Sequence, residues 1–150
     1  MSFSPPGASR PGIAPAPTSG LKVLVVDDHV DGAESLGILL EVFGHEVRTS
    51  FDGQAALDQV IAWQPDLVLM DLSLPVMDGY EAARRVISHV ADTPGFALPL
   101  LVALSGYSGE EERAKTALAG FQHHLVKPVP PDRLQSVLAL ARANRAVWTG

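Results

Sequence analysis

The chain of 150 residues has no cysteine. That excludes disulfides, thiolate zinc sites and a cysteine nucleophile, and it is compatible with a reducing compartment. Positive charge is also short: 11 Lys and Arg stand against 17 Asp and Glu, a net charge of -6. A nucleic-acid surface needs clustered cations to neutralise phosphates, so no nucleic acid is expected as the main partner. Long apolar runs are missing as well. The clean run from Ala97 to Leu104 is too short to cross a bilayer. The first residues lack the charged start and apolar stretch of a signal peptide. A soluble, cytoplasmic protein with no membrane partner is expected. Charged residues make up 19% and hydrophobic residues 47%, which excludes disorder throughout. The length fits one domain that buries roughly two-thirds of its unfolded surface.

Residues 1–20 hold five prolines, three glycines and four serines, and cannot build a packed core. They are expected to form a disordered tail or linker. A single folded domain is expected over 21–145, with a short C-terminal tail at 146–150. From Leu21 onward short β-branched runs recur at 21–26, 46–50, 67–71, 100–104 and 122–126, each followed by a stretch of helical period. Five apolar stripes mark the helices: Leu36, Leu39, Leu40 and Phe43; Leu57, Val60 and Ile61; Ala83, Val86, Ile87 and Val90; Ala114, Ala117 and Leu118; Leu134, Val137, Leu138 and Ala141. Gly44 can end the first helix, Pro65 follows the second, and Asp78 can cap the third. Five strands alternating with five helices predict an α/β fold, a parallel sheet with helices on both faces.

In such sheets ligands bind beyond the carboxyl ends of the strands. Strand 1, in "LKVLVVDDHV", ends at Asp27 and Asp28; strand 3 ends at Asp71, strand 4 at Ser105 and strand 5 at Lys127. Strand 2 ends at Thr49 and Ser50 and supplies no charge. Three carboxylates in one small pocket repel one another unless a cation joins them. An all-oxygen set suits Mg²⁺, which takes one or two carboxylates, keeps several waters and accepts phosphate oxygens. Asp can act as a nucleophile that forms an acyl phosphate, while Lys and Ser can hold a phosphoryl oxygen. Each residue alone has a plainer reading: a turn or helix cap for the Asp pair, turn chemistry for Asp71, loop positions for Ser105 and Lys127.

Together, "VLVVDDH", "DLVLMDLSLPVMDGYEAARRV", "LVALSGY" and "GFQHHLVKPV" resemble the receiver domain of two-component response regulators over Leu21 to about Arg142. The resemblance implies that the domain over 21–145 is a receiver domain, with a doubly wound, flavodoxin-like, five-stranded parallel sheet of order 2-1-3-4-5. It implies Asp71 as phosphoacceptor, with Asp28, Asp71 and the backbone carbonyl of Ser73 ligating Mg²⁺ directly and Asp27 acting mostly through water. Ser105 would track the phosphoryl group and Lys127 would bridge it to the site. Pro75 and Gly79 would shape the loop after Asp71, and Ser73 and Tyr107 would flank the path of an attacking water. The implied partner is a histidine kinase or histidine phosphotransfer protein, the response a shift at the helix 4, strand 5, helix 5 surface, and the oligomeric state monomer or weak dimer. The chain would be a signalling module and not an enzyme, beyond self-catalysed phosphorylation and dephosphorylation. About twenty residues follow position 128, which leaves room for helix 5 and none for a DNA-binding output domain.

Receivers usually carry Tyr or Phe three residues before the strand 5 lysine; this sequence has His124 there, in a segment resembling the receivers of hybrid kinases and stand-alone regulators. His123 and His124 are adjacent on a strand, so they should point to opposite faces and not share a metal. His29 is expected in the first turn of helix 1, Trp63 and Tyr80 against helices, and Trp148 in an extended helix 5. Two rival readings remain. An Asp-nucleophile phosphatase of the haloacid dehalogenase type would need an acid–base Asp two residues after Asp71, where Ser73 stands. A degenerate receiver would bind partners without taking up phosphate.

Overall fold

The structure is a computed structural model that describes residues 20–106 and 109–149. In chain order the elements are β1 (Lys22–Val26), α1 (Val30–Val42), β2 (Glu46–Ser50), α2 (Gly53–Trp63), β3 (Leu67–Asp71), α3 (Gly79–Asp92), β4 (Leu100–Ser105), α4 (Glu110–Ala119), β5 (His123–Val126) and α5 (Pro131–Thr149). The strands form one parallel sheet of order β2-β1-β3-β4-β5. The expected flavodoxin-like order is therefore the one observed.

Residue character explains the order. β3 and β4 are buried at every position and β1 at all but its first, as strands covered on both faces must be. β2 and β5 carry Glu46, Arg48 and His123 in solvent and sit at the edges, where polar residues discourage pairing with another chain. Alternate strand residues feed two cores. Val23, Val25, Leu67, Leu69, Val102 and Leu104 pack with Leu40 of α1 and Leu134, Val137 and Leu138 of α5. Leu24, Val26, Val68, Met70, Leu101 and Ala103 pack with residues of α2, α3 and α4, among them Leu57, Val60, Trp63, Val86 and Ala119.

Capping follows the sequence signals. Gly44, at φ 97°, follows the end of α1, and the Asp78 carboxylate accepts from the Glu81 amide at the start of α3. Asp52 does the same for α2 through the Ala55 amide, 2.7 Å away. Two helical faces differ from expectation. In α4, Ala114, Ala117 and Leu118 all face solvent, Leu118 at 87% exposure, while Thr116 and Ala119 are buried. In α2, Ile61 is exposed, and Ala56 and Trp63 join Leu57 and Val60 in the core. Trp63 is flanked by the cations of Lys22 and Arg48, 5.4 and 4.6 Å from its ring centre. Helix α5 continues to Thr149, through most of the segment expected as a tail, and Trp148 lies within it.

His45 joins the β1 entrance to the α1–β2 turn: its Nδ1 accepts the Leu21 amide at 3.0 Å, and the residue is buried. Burial first, then the nearby Arg142 and Arg145, push its pKa below the usual histidine value. Histidine neutral in the folded chain contributes stability that is fully present above about pH 6.5 and is lost as pH falls through the depressed folded pKa. Urea midpoints should therefore drop as pH is lowered from 7.5 to 5, and His45→Asn should flatten that dependence. An unchanged slope in the variant would show that His45 is not its source.

Candidate functional site

Parallel register brings the functional residues to one edge. Val26 pairs with Met70, so the next residues, Asp27 and Asp71, lie side by side. Asp71 pairs with Leu104, and Ser105 pairs with Val126, which places Ser105 and Lys127 beside them. Backbone bonds extend the sheet here, from the Asp27 amide to the Ser50 carbonyl and from the Lys127 amide to the Ser105 carbonyl. Asp27, Asp71 and Ser105 are buried, at 6, 7 and 7% exposure; Asp28 is exposed.

Lys127 Nζ donates to Asp27 Oδ2 at 2.8 Å and to Asp71 Oδ2 at 2.9 Å. The other oxygen of each carboxylate is held by a backbone amide, His29 for Asp27 at 2.9 Å and Ser73 for Asp71 at 3.0 Å. Burial alone would raise the Asp27 carboxyl, but the bonds from Lys127 and the His29 amide outweigh it and hold its pKa below the ordinary value. For Lys127, burial acts downward and the bonds to Asp27 and Asp71 outweigh it, so its pKa is raised. Both shifts favour the charged pair. Asp27, Asp28, His29 and Asp71 each offer a ligand atom, all within 4.8 Å of one another. Three carboxylates against one ammonium leave a local excess of negative charge. That donor set fits a hard divalent cation.

The loop after Asp71 is shaped by close approaches. A Cβ on Gly79 would lie 2.5 Å from the Asp71 carbonyl oxygen, and one on Gly53 would overlap the Met77 carbonyl. Between them Met77 donates to the Pro75 carbonyl at 2.7 Å across Val76, whose φ is 69°; this is a γ-turn with a β-branched residue in the left-handed region. Val76 is 83% exposed.

His29 sits at the N-cap of α1, one place before the expected first turn, and its Nδ1 lies 3.2 Å from Asp27 Oδ1 and 3.3 Å from Asp28 Oδ1. Sequence reading placed it in a helix and missed its side chain's meeting with both carboxylates; the signal was its position directly after the Asp pair. His123 faces solvent and His124 is half-buried, on opposite faces as expected. Both ring nitrogens of His124 are buried with no hydrogen-bond partner among the described residues. Its pKa is lowered, by burial first and by Arg113, with Glu112 acting in the other direction. Tyr80 packs between α3 and α4 and donates to Glu112 Oε2 at 2.9 Å; burial, then that bond, pushes its hydroxyl up to about 12. Tyr107 lies outside the described residues.

The family model for the response regulator receiver domain matches residues 23–139. The chain belongs to this family. Among curated relatives, it is 32% identical over 148 residues to the virulence sensor protein BvgS of Bordetella bronchiseptica, covering 97% of this chain and 12% of that protein. It is 34% identical over 132 residues to the transcriptional regulatory protein PrrA of Mycobacterium leprae, covering 87% of this chain and 54% of that one. The chain thus spans between about an eighth and about half of these relatives' lengths. A solved receiver domain, that of the sensor histidine kinase PA1611 from Pseudomonas aeruginosa, matches with a TM-score of 0.72 and 29% identity, over 83% of this chain and 99% of that one. That structure holds a magnesium ion coordinated in its active site cleft. No described helix of the present receiver is long and apolar enough to cross a membrane.

The Lys127 ammonium is the direct cation partner of two buried carboxylates. Lys127→Met should therefore destabilise the metal-free chain by about 1–3 kcal/mol at pH 7, since the carboxylates are left repelling one another. The loss should shrink when Asp27→Asn is added. Urea unfolding of the single and double variants checks this; equal losses with and without Asp27 would show that the ion pair contributes nothing.

Proposed function

We propose that this receiver accepts a phosphoryl group on Asp71 from a phosphohistidine of a histidine kinase or histidine phosphotransfer protein, with Mg²⁺ as cofactor, in the cytoplasm. The observation that carries this reading is the setting of the Asp71 carboxylate. It is buried at the carboxyl edge of the sheet, fixed by the Ser73 amide and Lys127, and it stands beside acids that one ammonium does not neutralise.

An Asp71 oxygen attacks phosphorus. The new P–O bond forms as the P–N bond of the donor breaks, and that bond's electron pair leaves on the imidazole nitrogen, whose ring departs neutral because its other nitrogen keeps a proton. The product is an acyl phosphate. Asp28, Asp71 and the Ser73 carbonyl would hold Mg²⁺, with Asp27 acting through water, and the ion would supply charge to offset the carboxylate and the incoming phosphoryl oxygens. Lys127 supplies a point charge to a phosphoryl oxygen and Ser105 a hydroxyl donor. Ser105 ends β4, the neighbour of β3, and Lys127 follows β5, the neighbour of β4, with its amide on the Ser105 carbonyl. The product adds roughly two negative charges at this edge. In this reading the chain signals by that change, with no nucleic acid or membrane as its partner.

Intact mass after incubation with acetyl phosphate tests the reading. One added phosphoryl group is expected with Mg²⁺, none with EDTA and none in Asp71→Asn. No gain under any condition would leave a protein-binding receiver without phosphate chemistry.

A further inference from the structure

Asp27 divides its two oxygens. Oδ2 faces the Lys127 ammonium, and Oδ1 faces the His29 ring. The imidazole Nδ1 is 3.2 Å from Asp27 Oδ1 and 3.3 Å from Asp28 Oδ1, and the Asp71 ligand atom falls within the same 4.8 Å cluster. In an octahedral site with metal–donor bonds of about 2.1 Å, adjacent donors stand about 3.0 Å apart and opposite donors about 4.2 Å. The nitrogen therefore lies within a few tenths of an ångström of the spacing of an adjacent donor to both carboxylates, and the widest pair in the set needs to close by up to about 0.6 Å to reach the opposite-donor spacing. The side chain is 77% exposed, so nothing in the core prevents the ring from adjusting.

We propose that His29 is a nitrogen ligand of the cation site, which makes the site a receptor for borderline transition metals such as Co²⁺, Ni²⁺ and Zn²⁺ as well as for Mg²⁺. The inference rests on the metal-dependent reading above and names a ligand and a metal class that reading does not contain. The chemical ground is donor preference. Mg²⁺ favours carboxylate, carbonyl and water oxygens, whereas imidazole suits the later first-row metals, whose affinities for mixed sites rise along the series from Mn²⁺ to Cu²⁺. A site with carboxylates alone gains little selectivity among divalent ions; one nitrogen donor shifts it toward the transition metals. The ring stands on the side of Asp27 away from Lys127, so a cation held there keeps its distance from the ammonium.

Calorimetric titration of the full chain with Co²⁺ and, separately, Mg²⁺ tests this in wild type, His29→Ala, His29→Asn and Asp28→Asn. The expected result is a Co²⁺ affinity about tenfold weaker or more in both His29 variants, a Mg²⁺ affinity changed less than about twofold, and loss of both in Asp28→Asn. Asn keeps a side chain that suits an N-cap, so a shared loss cannot be blamed on fraying of α1. Pulsed electron paramagnetic resonance of the Mn²⁺ form should show a coupled ¹⁴N nucleus that disappears in His29→Ala. Co²⁺ binding indifferent to His29, Co²⁺ and Mg²⁺ weakened equally, or Co²⁺ retained in Asp28→Asn would each overturn the inference and leave the Mg²⁺ reading standing. Failure of Mg²⁺ and Co²⁺ alike to bind wild type would overturn both.

Discussion

Asp27 and Asp71 stand side by side at the end of a parallel sheet, and a single ammonium, that of Lys127, lies within 3 Å of one oxygen of each. The geometry of the site depends on this unequal balance. One cation is enough to fold around; it turns a repulsive pair into a bridged one and fixes both carboxylates with one oxygen each. It is not enough to neutralise the edge, because Asp28 adds a third carboxylate to the same cluster. The excess that remains suits a divalent cation. A fully compensated site would be more stable and would have nothing left to bind with.

The fold supplies the placement through strand phase. In a parallel sheet with both faces covered, strand interiors must be apolar, so polar chemistry is pushed to the strand ends. The register of Val26 with Met70 and of Asp71 with Leu104 then decides which ends meet. A one-residue slip would turn the side chains of a central strand to the opposite core. Leu24 and Val26 pack under α2 and α3 while Val23 and Val25 pack under α1 and α5, and neither set could replace the other without leaving voids or clashes. The core therefore holds the carboxylates in register from far below the site. The close approach of Gly79 to the Asp71 carbonyl does the same from above, since any larger residue would displace the backbone at the end of β3.

Much of this was legible in the residue order. The strands β1, β3 and β4 are continuous, largely β-branched or aliphatic runs, and their shortness and composition mark them. The acids and hydroxyl at their ends, with the lysine that follows β5, name the edge. Legibility failed where side chains are small or where tertiary placement decides. In α4, Ala114, Ala117 and Leu118 are the apolar choice on paper, yet the helix turns Thr116 and Ala119 inward. Alanine carries little transfer energy, and Thr116 satisfies its hydroxyl on the Arg113 carbonyl, so a polar residue could take the buried place. His29 shows the second kind of failure. Its helical neighbourhood was readable, but the 3.2 and 3.3 Å approaches to the Asp pair depend on the turn between β1 and α1. The unpartnered nitrogens of His124 are likewise a fact of packing that spacing could not give.

The same small side chains bear on how a change at Asp71 would leave the site. The central strands cannot shift without disturbing two cores at once. Helix α4 can. Its N-cap, Gly109, makes no side-chain hydrogen bond, its buried residues among the described side chains are Thr116 and Ala119, and Leu118 gains nothing from its present position in water. What ties it sideways is the bond from Tyr80 to Glu112, with Lys115 over the Tyr80 ring. Such an element opens at a lower free-energy cost than the sheet beneath it. It also begins five residues after Ser105, the hydroxyl that in the proposed reading meets a phosphoryl oxygen. A pull on Ser105 would therefore be resisted by β4 and passed to α4, whose Glu112 and Arg113 act on the half-buried His124 of β5, a side chain without a hydrogen bond to lose.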